Sequence, residues 1–227
     1  MNLIINWIIE NKLWLLLGIG TLYTFDWLNS NHQILQLSRM KAFVISILHT
    51  IQGLVCLKTF AINEVGFDLD KAGNMSIYGA MFFMPIFYFS YAKITNRKLR
   101  DVYDVFTIGM LFTLLCARVN CIFSGCCLGK PIFAESSICW PTRQMEIVFY
   151  IIIIVILKSM VKKKGLQGKV FPIYMICYGI FRFVIEFLRV GTPIIGEMFH
   201  MAHVWSIIAI GIGFVLLFML NNRKNNI

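Results

Sequence analysis

The sequence predicts an all-α integral membrane protein with about seven transmembrane helices, its N-terminus outside and its C-terminus in the cytoplasm. Of its 227 residues, 59% are hydrophobic and 14% are charged, whereas soluble domains are about 45–50% apolar and about a quarter charged. Apolar stretches near the length of a bilayer crossing recur along the chain. The basic residues collect in alternate loops between these stretches. Together these observations argue against a water-soluble globule.

Seven stretches are candidates for membrane crossing, because a helix needs about 20 mostly apolar residues to span the hydrocarbon layer. In chain order they are Leu13–Leu28, Ala42–Ile62, Met75–Ile94, Tyr103–Phe123, Met145–Val161, Val170–Leu188 and Met201–Leu220. The apolar start has no small-residue cleavage site after a basic stretch, so we expect no removable signal peptide. No repeat or Pro/Ser-rich linker divides the chain, which predicts a single polytopic membrane domain over residues 1–227.

The loop charges determine the predicted orientation. Lysine and arginine cluster in residues 39–41, 93–100, 158–169 and 223–224, and the intervening loops carry fewer of them. Basic loops of inner-membrane proteins face the cytoplasm. We therefore predict a multi-pass inner-membrane protein whose basic loops face the cytoplasm. The net charge of +10 follows from this segregation, and we expect no nucleic-acid partner.

Ionisable side chains inside the predicted spans require an explanation, because each costs at least a few kcal/mol at membrane depth. They are Arg118, Arg182, Glu186 and Lys58, with Asp104, Glu146 and Arg189 near span ends. The fourth and sixth spans both run outward, so Arg118 and Arg182 are predicted to lie toward the outer side. We expect several helices to present charge at one level below the outer surface. Lys58 receives no role.

The sixth span carries a row of polar residues. Tyr178, Arg182, Glu186 and Arg189 follow at i, i+4, i+8 and i+11, which predicts one face of a helix. One interpretation is an Arg–Glu pair that locks helices together. The other is an anion site, in which Arg118 and Arg182 bind a phosphate and Glu186 orients them. Because both arginines face the outer leaflet, the second interpretation implies a phospholipid head group.

The segment from Arg118 to Gly129 is the least core-like part of the chain. Gly125 and Gly129 permit tight turns and a close backbone approach to a ligand. Three thiols crowd the same segment, at Cys121, Cys126 and Cys127. Packing by small residues is the default interpretation of these cysteines.

Two other interpretations of the thiols stay open. One is a disulfide on the oxidising side of the membrane, and the other is a metal site completed by His200 and His203. The spacing matches no standard zinc pattern, so we predict no metal. No G-x-G-x-x-G motif or P-loop occurs in a βαβ context, so we also predict no soluble cofactor.

This segment resembles the signature of the prolipoprotein diacylglyceryl transferase family, integral membrane enzymes of bacteria. The signature reads R-x-G-N-F-x-N-G-E-x-x-G, and Arg118, Gly125 and Gly129 match its arginine and its last two glycines. Its G, N, N and E are replaced here by Asn120, Cys121, Ser124 and Cys126. Asp104 matches an aspartate that precedes the family arginine.

Further blocks carry the same resemblance, over roughly residues 73–213. A block similar to P-x-Q-L-Y-E corresponds to residues 141–146 and ends at Glu146. A block similar to Y-G-x-x-R-F-x-x-E-x-x-R is matched by Tyr178, Gly179, Arg182, Phe183, Glu186 and Arg189. A block similar to G-G-M-x-x-H-G-G aligns with residues 73–80, where Tyr78 takes the position of the family histidine. Seven spans with an outside N-terminus is also the family topology, whereas residues 1–62 show no family motif.

The resemblance implies transfer of diacylglycerol from phosphatidylglycerol to the thiol of a lipobox cysteine in a secreted preprotein, with glycerol phosphate leaving. It assigns catalytic roles to Arg118, Arg182, Tyr78 and Glu186. It assigns substrate binding to Tyr178, Glu146, Arg189, Asp104, Gly125, Gly129, Cys121 and Cys126. Arg118 and Arg182 would hold the head group and stabilise charge on the leaving phosphate.

Two departures from the family pattern bear on the reaction. Tyrosine is a poor base near neutral pH, since its reference pKa is about 10, and Cys126 stands where the signature has glutamate. The G-C-C-x-G form therefore predicts a divergent branch. The alternatives are a related transferase with a different acceptor, a non-catalytic phospholipid-binding or transport protein, and a membrane thiol oxidoreductase. The internal symmetry typical of transporters is absent from the sequence.

Overall fold

The computed structural model describes residues 10–67, 75–133, 137–163, 165–191 and 198–225. In these residues the chain forms seven helices and one isolated helical turn, His32–Leu35. The helices are α1 (Lys12–Ser30), α2 (Arg39–Glu64), α3 (Tyr78–Ile94), α4 (Leu99–Ser124), α5 (Thr142–Val161), α6 (Val170–Glu186) and α7 (Met201–Asn225). Over the same residues there is no strand, only two isolated β-bridges, Gly129 with Arg189 and Pro131 with Cys139. Residues 68–74, which include the first two residues of the 73–80 block, lie outside the described residues.

Each of the seven predicted apolar stretches lies mostly or wholly within a helix, and the all-α class is confirmed for the described residues. Four of the described helices are long and apolar enough to cross a membrane: α2, α4, α5 and Met201–Asn222 of α7. Helices α1, α3 and α6 have 19, 17 and 17 residues, close to the length of about 20 that a crossing needs. The count of seven spans and the sides of the termini stay predictions.

The end of α6 corrects one expectation. The helix ends at Glu186, not at Leu188, so Arg189 does not continue the helical face that carries Tyr178 and Arg182. Instead the backbone of residues 188–190 pairs with residues 128–130: Lys130 N–H donates to the Leu188 carbonyl at 2.7 Å, and Val190 N–H donates to the Leu128 carbonyl at 3.2 Å. These bonds replace the helical ones that would have extended α6.

The chain divides into two compact units, Met1–Asn120 and Cys121–Ile227. In the first unit, α1 and α4 are joined by a bond from the Trp27 indole Nε1 to the Val105 carbonyl, at 2.9 Å. A Cβ atom on Gly79 would lie 2.1 Å from the Cys56 carbonyl oxygen. The first turn of α3 therefore packs directly on the backbone of α2, and this contact positions Tyr78.

In the second unit, aromatic side chains pack α6 against both α5 and α7. Phe149 of α5 stacks on Phe181 of α6, with ring centroids 4.3 Å apart. On the other side, Phe183 of α6 lies 5.1 Å from the His203 ring of α7. Only 22% of the apolar window of α7 is buried. Most of its side chains therefore face outward, as expected of a helix in contact with lipid.

Candidate functional site

The second unit contains a cluster of four charged side chains, all of them buried. Glu146 Oε1 accepts hydrogen bonds from Arg182 Nη1 at 3.1 Å and from Arg189 Nη1 at 3.3 Å. Glu186 Oε2 lies 2.8 Å from Arg182 Nη2 and 3.7 Å from Arg189 Nε. Each carboxylate therefore contacts both guanidinium groups. The side chains are at most 10% exposed.

Three chain segments bring this ion cluster together. Glu146 lies in the second turn of α5, Arg182 and Glu186 lie one turn apart at the end of α6, and Arg189 follows α6. The β-bridge to Gly129 holds Arg189 in place. A Cβ atom on Gly129 would lie 2.2 Å from the Trp140 carbonyl oxygen. Gly129 thus permits a close backbone approach to Trp140 of the same chain, and the approach of a ligand there stays a prediction.

Charge balance explains why this cluster can be buried. Two guanidinium groups face two carboxylates, so the four formal charges cancel. An unpaired ion at such a depth would cost several kcal/mol in desolvation. The contacts match the interpretation of an Arg–Glu pair that locks helices, because Glu146 and Arg182 join α5 to α6. They also hold Arg182 in a single orientation, which the anion-site interpretation requires.

His200 is a member of the cluster that sequence reasoning missed. Its Nδ1 lies 3.1 Å from Glu186 Oε1, and its backbone N–H donates to His203 Nδ1 at 2.9 Å. Both histidines are buried. The sequence suggested them only as metal ligands beside the cysteines, whereas the hydrogen bonds described for them are to Glu186 and to each other.

Tyr178 lies one turn before Arg182 on α6 and is fully buried. Its ring centroid lies 5.9 Å from that of Tyr150 and 5.8 Å from that of Tyr174. The three tyrosines form an aromatic layer next to the ion cluster, within the second unit. Its rings present apolar faces of the kind that pack against hydrocarbon.

Three of the predicted site residues belong to the first unit. Tyr78 is the first residue of α3, 4% exposed, and its ring stacks on Phe82 at 6.0 Å. Arg118 is buried in the last two turns of α4. Asp104 is buried on the same helix, but fourteen residues earlier, a distance of about 21 Å along the axis. Asp104 therefore cannot contact the same phosphate group as Arg118.

The first unit also holds a small apolar cavity of about 40 Å³. Its lining includes Ala80, two residues after Tyr78, and Ala117, next to Arg118. Further along, the lining includes Leu17, His49 and Met84. The cavity thus extends from the neighbours of both site residues into the apolar interior of the unit.

The three thiols of the glycine-rich segment come together in the second unit. The Sγ atoms of Cys121, Cys126 and Cys127 all lie within 4.8 Å of one another, and the residues are half-buried. None of the chain's seven cysteines is in a disulfide. Gly125 adopts φ +67°, a left-handed turn directly after α4. The tight turn expected at Gly125 is therefore confirmed.

Comparison with known proteins relates the chain to one family. Residues 40–219 match the family model described as prolipoprotein diacylglyceryl transferase. The phosphatidylglycerol–prolipoprotein diacylglyceryl transferase of Clostridium tetani is 30% identical over 137 residues, which cover 55% of each chain. The proteins of that name from Dehalococcoides mccartyi are 26% identical over 132 residues, 52% of this chain and 51% of theirs. That of Clostridioides difficile is 26% identical over 164 residues, 69% of this chain and 66% of its own. The chain thus spans about half the length of the first curated relatives it matches.

Proposed function

This chain belongs to the prolipoprotein diacylglyceryl transferase family, and on that premise we propose that it moves a diacylglyceryl group from phosphatidylglycerol to a thiol. The acceptor is a cysteine of a secreted preprotein, and glycerol phosphate is the leaving group. The observation that carries this proposal is the family match over residues 40–219. The buried cluster of Glu146, Arg182, Glu186 and Arg189 supports it, because these residues occupy the family blocks.

We also propose a cellular localisation and a membrane topology. The protein is a multi-pass protein of the bacterial cytoplasmic membrane, with seven spans, an outside N-terminus and a cytoplasmic C-terminus. The seven helices and the alternation of basic loops support this topology. A site near the outer leaflet is accessible to a lipid donor and to a membrane-tethered acceptor.

The reaction makes one bond and breaks another. An electron pair of the acceptor thiolate forms a C–S bond with the glyceryl carbon, and the pair of the C–O bond leaves with the phosphate oxygen. Negative charge therefore grows on the leaving phosphate. Guanidinium groups suit this charge, because they bind phosphate through paired hydrogen bonds and stay protonated.

We assign the charge-stabilising roles to Arg118 and Arg182. Glu146 and Glu186 orient Arg182, since each carboxylate contacts one of its terminal nitrogens. Arg189 completes the balance of charge around the two carboxylates. A carboxylate pair that fixes the guanidinium before substrate binds lowers the reorganisation needed in the transition state.

The remaining family positions are assigned to substrate binding. We assign Tyr178 to contact with the lipid. Gly125, Gly129, Cys121 and Cys126, which lie on residues 121–129, are also assigned to substrate binding. Tyr78 is the exception: it stands at the position of the family histidine, and we assign it a catalytic role there. Asp104, near the other end of α4, is assigned to substrate binding away from the phosphate.

A second candidate function is transfer to a different acceptor from the same phospholipid. The observation that favours it is the pair of departures from the family pattern, Tyr78 in place of histidine and Cys126 in place of glutamate. The phosphate-binding residues are retained, whereas the residues expected to act on the acceptor differ. Such a branch would keep the donor and change the nucleophile.

A mass-shift assay tests both candidates. The detergent-purified protein receives phosphatidylglycerol and a synthetic signal peptide with a single lipobox cysteine, or the same peptide with serine in its place. Transfer predicts a mass gain of one diacylglyceryl group on the cysteine peptide only. Arg118→Ala should abolish the gain, and Arg100→Ala, an exposed arginine at the start of α4, should retain it. No gain from folded protein that binds the lipid would contradict thiol transfer and favour a different acceptor.

A further inference from the structure

We propose that Cys121, Cys126 and Cys127 bind a thiophilic divalent metal ion of the zinc class, with a fourth position open to the acceptor thiol. The metal site rests on the geometry of the thiols alone. Its part in catalysis rests on the proposed function. Neither is implied by the family signature, which has asparagine and glutamate where this chain has Cys121 and Cys126.

The separations of the sulfur atoms carry the proposal. All three Sγ atoms lie within 4.8 Å of one another. A tetrahedral zinc with Zn–S bonds of about 2.3 Å needs sulfur atoms about 3.8 Å apart. The thiols therefore need to close by about 1 Å at most, which small side-chain rotations provide. Three thiols so close together on one short segment form a ligand set that soft metal ions prefer.

The backbone holds the thiols in this arrangement. Arg143 Nη1 donates to the Cys121 carbonyl at 3.2 Å, and the Thr142 hydroxyl donates to the Cys127 carbonyl at 3.2 Å. Both ends of the thiol segment are thus attached to the first turn of α5. Within the thiol segment, Gly125 and Cys127 have positive φ, +67° and +59°. The chain therefore turns back after α4 and brings Cys126 and Cys127 close to Cys121.

The same contacts place positive charge beside the ligands. Three thiolates and one divalent cation carry a net charge of −1, and the Arg143 guanidinium offsets it at the Cys121 end. Glu146 follows Arg143 by one turn of α5 and belongs to the ion cluster. Consecutive turns of α5 therefore hydrogen-bond to the thiol cluster, through Arg143, and to the arginines of the ion cluster, through Glu146.

The ligand count argues for an open site. Among the described residues, no other histidine, cysteine or carboxylate joins the three thiols. His200 and His203, which the sequence suggested as completing ligands, contact Glu186 and each other. Zinc sites with three protein ligands keep the fourth position for water or substrate. The three cysteines lack the second pair of ligands that completes the four-ligand patterns of structural zinc sites.

An open position gives the acceptor thiol a route to its reactive form. The thiol replaces the metal-bound water, and its proton passes to solvent, since a thiol that coordinates zinc is deprotonated. The bound thiolate then forms the C–S bond as the C–O bond to phosphate breaks. Activation of the thiol by a metal would need no basic side chain, and this chain has Tyr78 at the position of the family histidine.

Metal analysis tests the site without reference to activity. Protein purified under reducing conditions without chelator is expected to hold one zinc ion per chain, measured by elemental analysis. The double variant Cys126→Ser, Cys127→Ser should lose the metal. The matched control Cys139→Ser, Cys177→Ser removes two thiols of the same unit outside the cluster, and it should keep the metal. Metal-free wild-type protein that does not bind added zinc would overturn the proposal, as would metal retained by the Cys126/Cys127 variant.

Cobalt substitution tests the site in the unchanged chain, in case the variants do not fold. Added Co²⁺ should produce the intense near-ultraviolet absorption of thiolate-to-metal charge transfer and the visible bands of tetrahedral coordination. A cysteine-containing acceptor peptide should increase the charge-transfer band, and its serine counterpart should not. A spectrum without thiolate bands overturns the metal site. A spectrum that the cysteine peptide leaves unchanged overturns the open position.

The transfer assay separates this proposal from the proposed function. Loss of transfer on metal removal, with recovery on adding zinc back, supports both. Transfer that continues in fully metal-free protein retains the proposed function and overturns the catalytic role of the metal. Stoichiometric metal in a protein without transfer activity supports the site and overturns the function assigned to it.

Discussion

Arg182 and Glu146 form an ion pair of 3.1 Å between α6 and α5, with side chains 9% and 0% exposed. Thirty-six residues separate them in sequence. Because Arg182 also contacts Glu186, its guanidinium is held by two carboxylates from two helices. The pair is thus both a link between helices and the element that fixes the orientation of a residue proposed to bind phosphate.

Glu146→Gln should strongly destabilise the second unit. The substitution removes the carboxylate that faces Arg182 and Arg189 and leaves an excess of buried positive charge. Breaking a buried ion pair in this way costs about 3–5 kcal/mol. Thermal unfolding in detergent should therefore show a large fall in melting temperature. Glu10→Gln, at an exposed glutamate, is the matched control and should melt as the wild type does; equal melting of both variants would contradict a structural role for the pair.

Arg182→Lys should show whether transfer needs the planar guanidinium group of Arg182 or only its positive charge. Lysine keeps the charge, but its single ammonium group cannot place two nitrogens against Glu146 and Glu186 as the guanidinium does. We expect transfer to fall about tenfold or more, with the protein still inserted in the membrane. The rate of diacylglyceryl transfer measures this, with Arg100→Lys as control. A rate equal to that of the wild type would show that charge alone suffices.

The helices could be predicted from the sequence, because apolar runs of this length have few other structures available in a membrane. The charged residues within these runs could be predicted to have a specific role, because a charge at membrane depth is energetically costly. Their pairing could not, since Glu146 and Arg182 meet only through tertiary packing. The row of Tyr178, Arg182, Glu186 and Arg189 shows where periodicity fails, because backbone bonding of residues 188–190 with residues 128–130 ends the helix before Arg189.

The proximity of the three thiols could not be predicted from their spacing in the sequence. The sequence places Cys126 and Cys127 five and six residues after Cys121, a spacing that fits a helix as well as a turn. The local conformation decides, because α4 ends at Ser124 and Gly125 and Cys127 then take positive φ. Glycine favours a left-handed turn, but a positive φ at cysteine is not expected from the residue type.

His200→Phe should destabilise the ion cluster by removing a hydrogen-bond partner of Glu186. Phenylalanine keeps an aromatic ring near that of His203 but cannot bond to Glu186 Oε1, as His200 Nδ1 does at 3.1 Å. A buried polar atom that loses its partner costs about 1–3 kcal/mol. Melting temperature should fall accordingly. His32→Phe removes an exposed histidine bonded to the Asn29 carbonyl and should have little effect; the reverse order of the two variants would refute the role assigned to His200.

Gly129→Ala should disrupt the segment that joins the thiol cluster to Arg189. The added methyl group would lie 2.2 Å from the Trp140 carbonyl oxygen, a backbone atom that cannot rotate away. Residues 128–130 must then move, and their bridge to residues 188–190 is lost or displaced. We expect lower thermal stability together with lower transfer activity.

Gly211→Ala is the control for Gly129→Ala, because the same substitution is expected to raise thermal stability at Gly211 and to lower it at Gly129. Gly211 lies within α7, and nothing is within 4 Å of its added Cβ. Alanine inside a helix is favoured over glycine by about 0.8–1.0 kcal/mol, so this variant should melt slightly above the wild type and keep full activity. The comparison separates the two effects of the same substitution: steric displacement at Gly129 and helix propensity at Gly211. If Gly129→Ala also retained its stability and activity, the bridge would not position Arg189, and the charged cluster would have to be held by α5 and α6 alone.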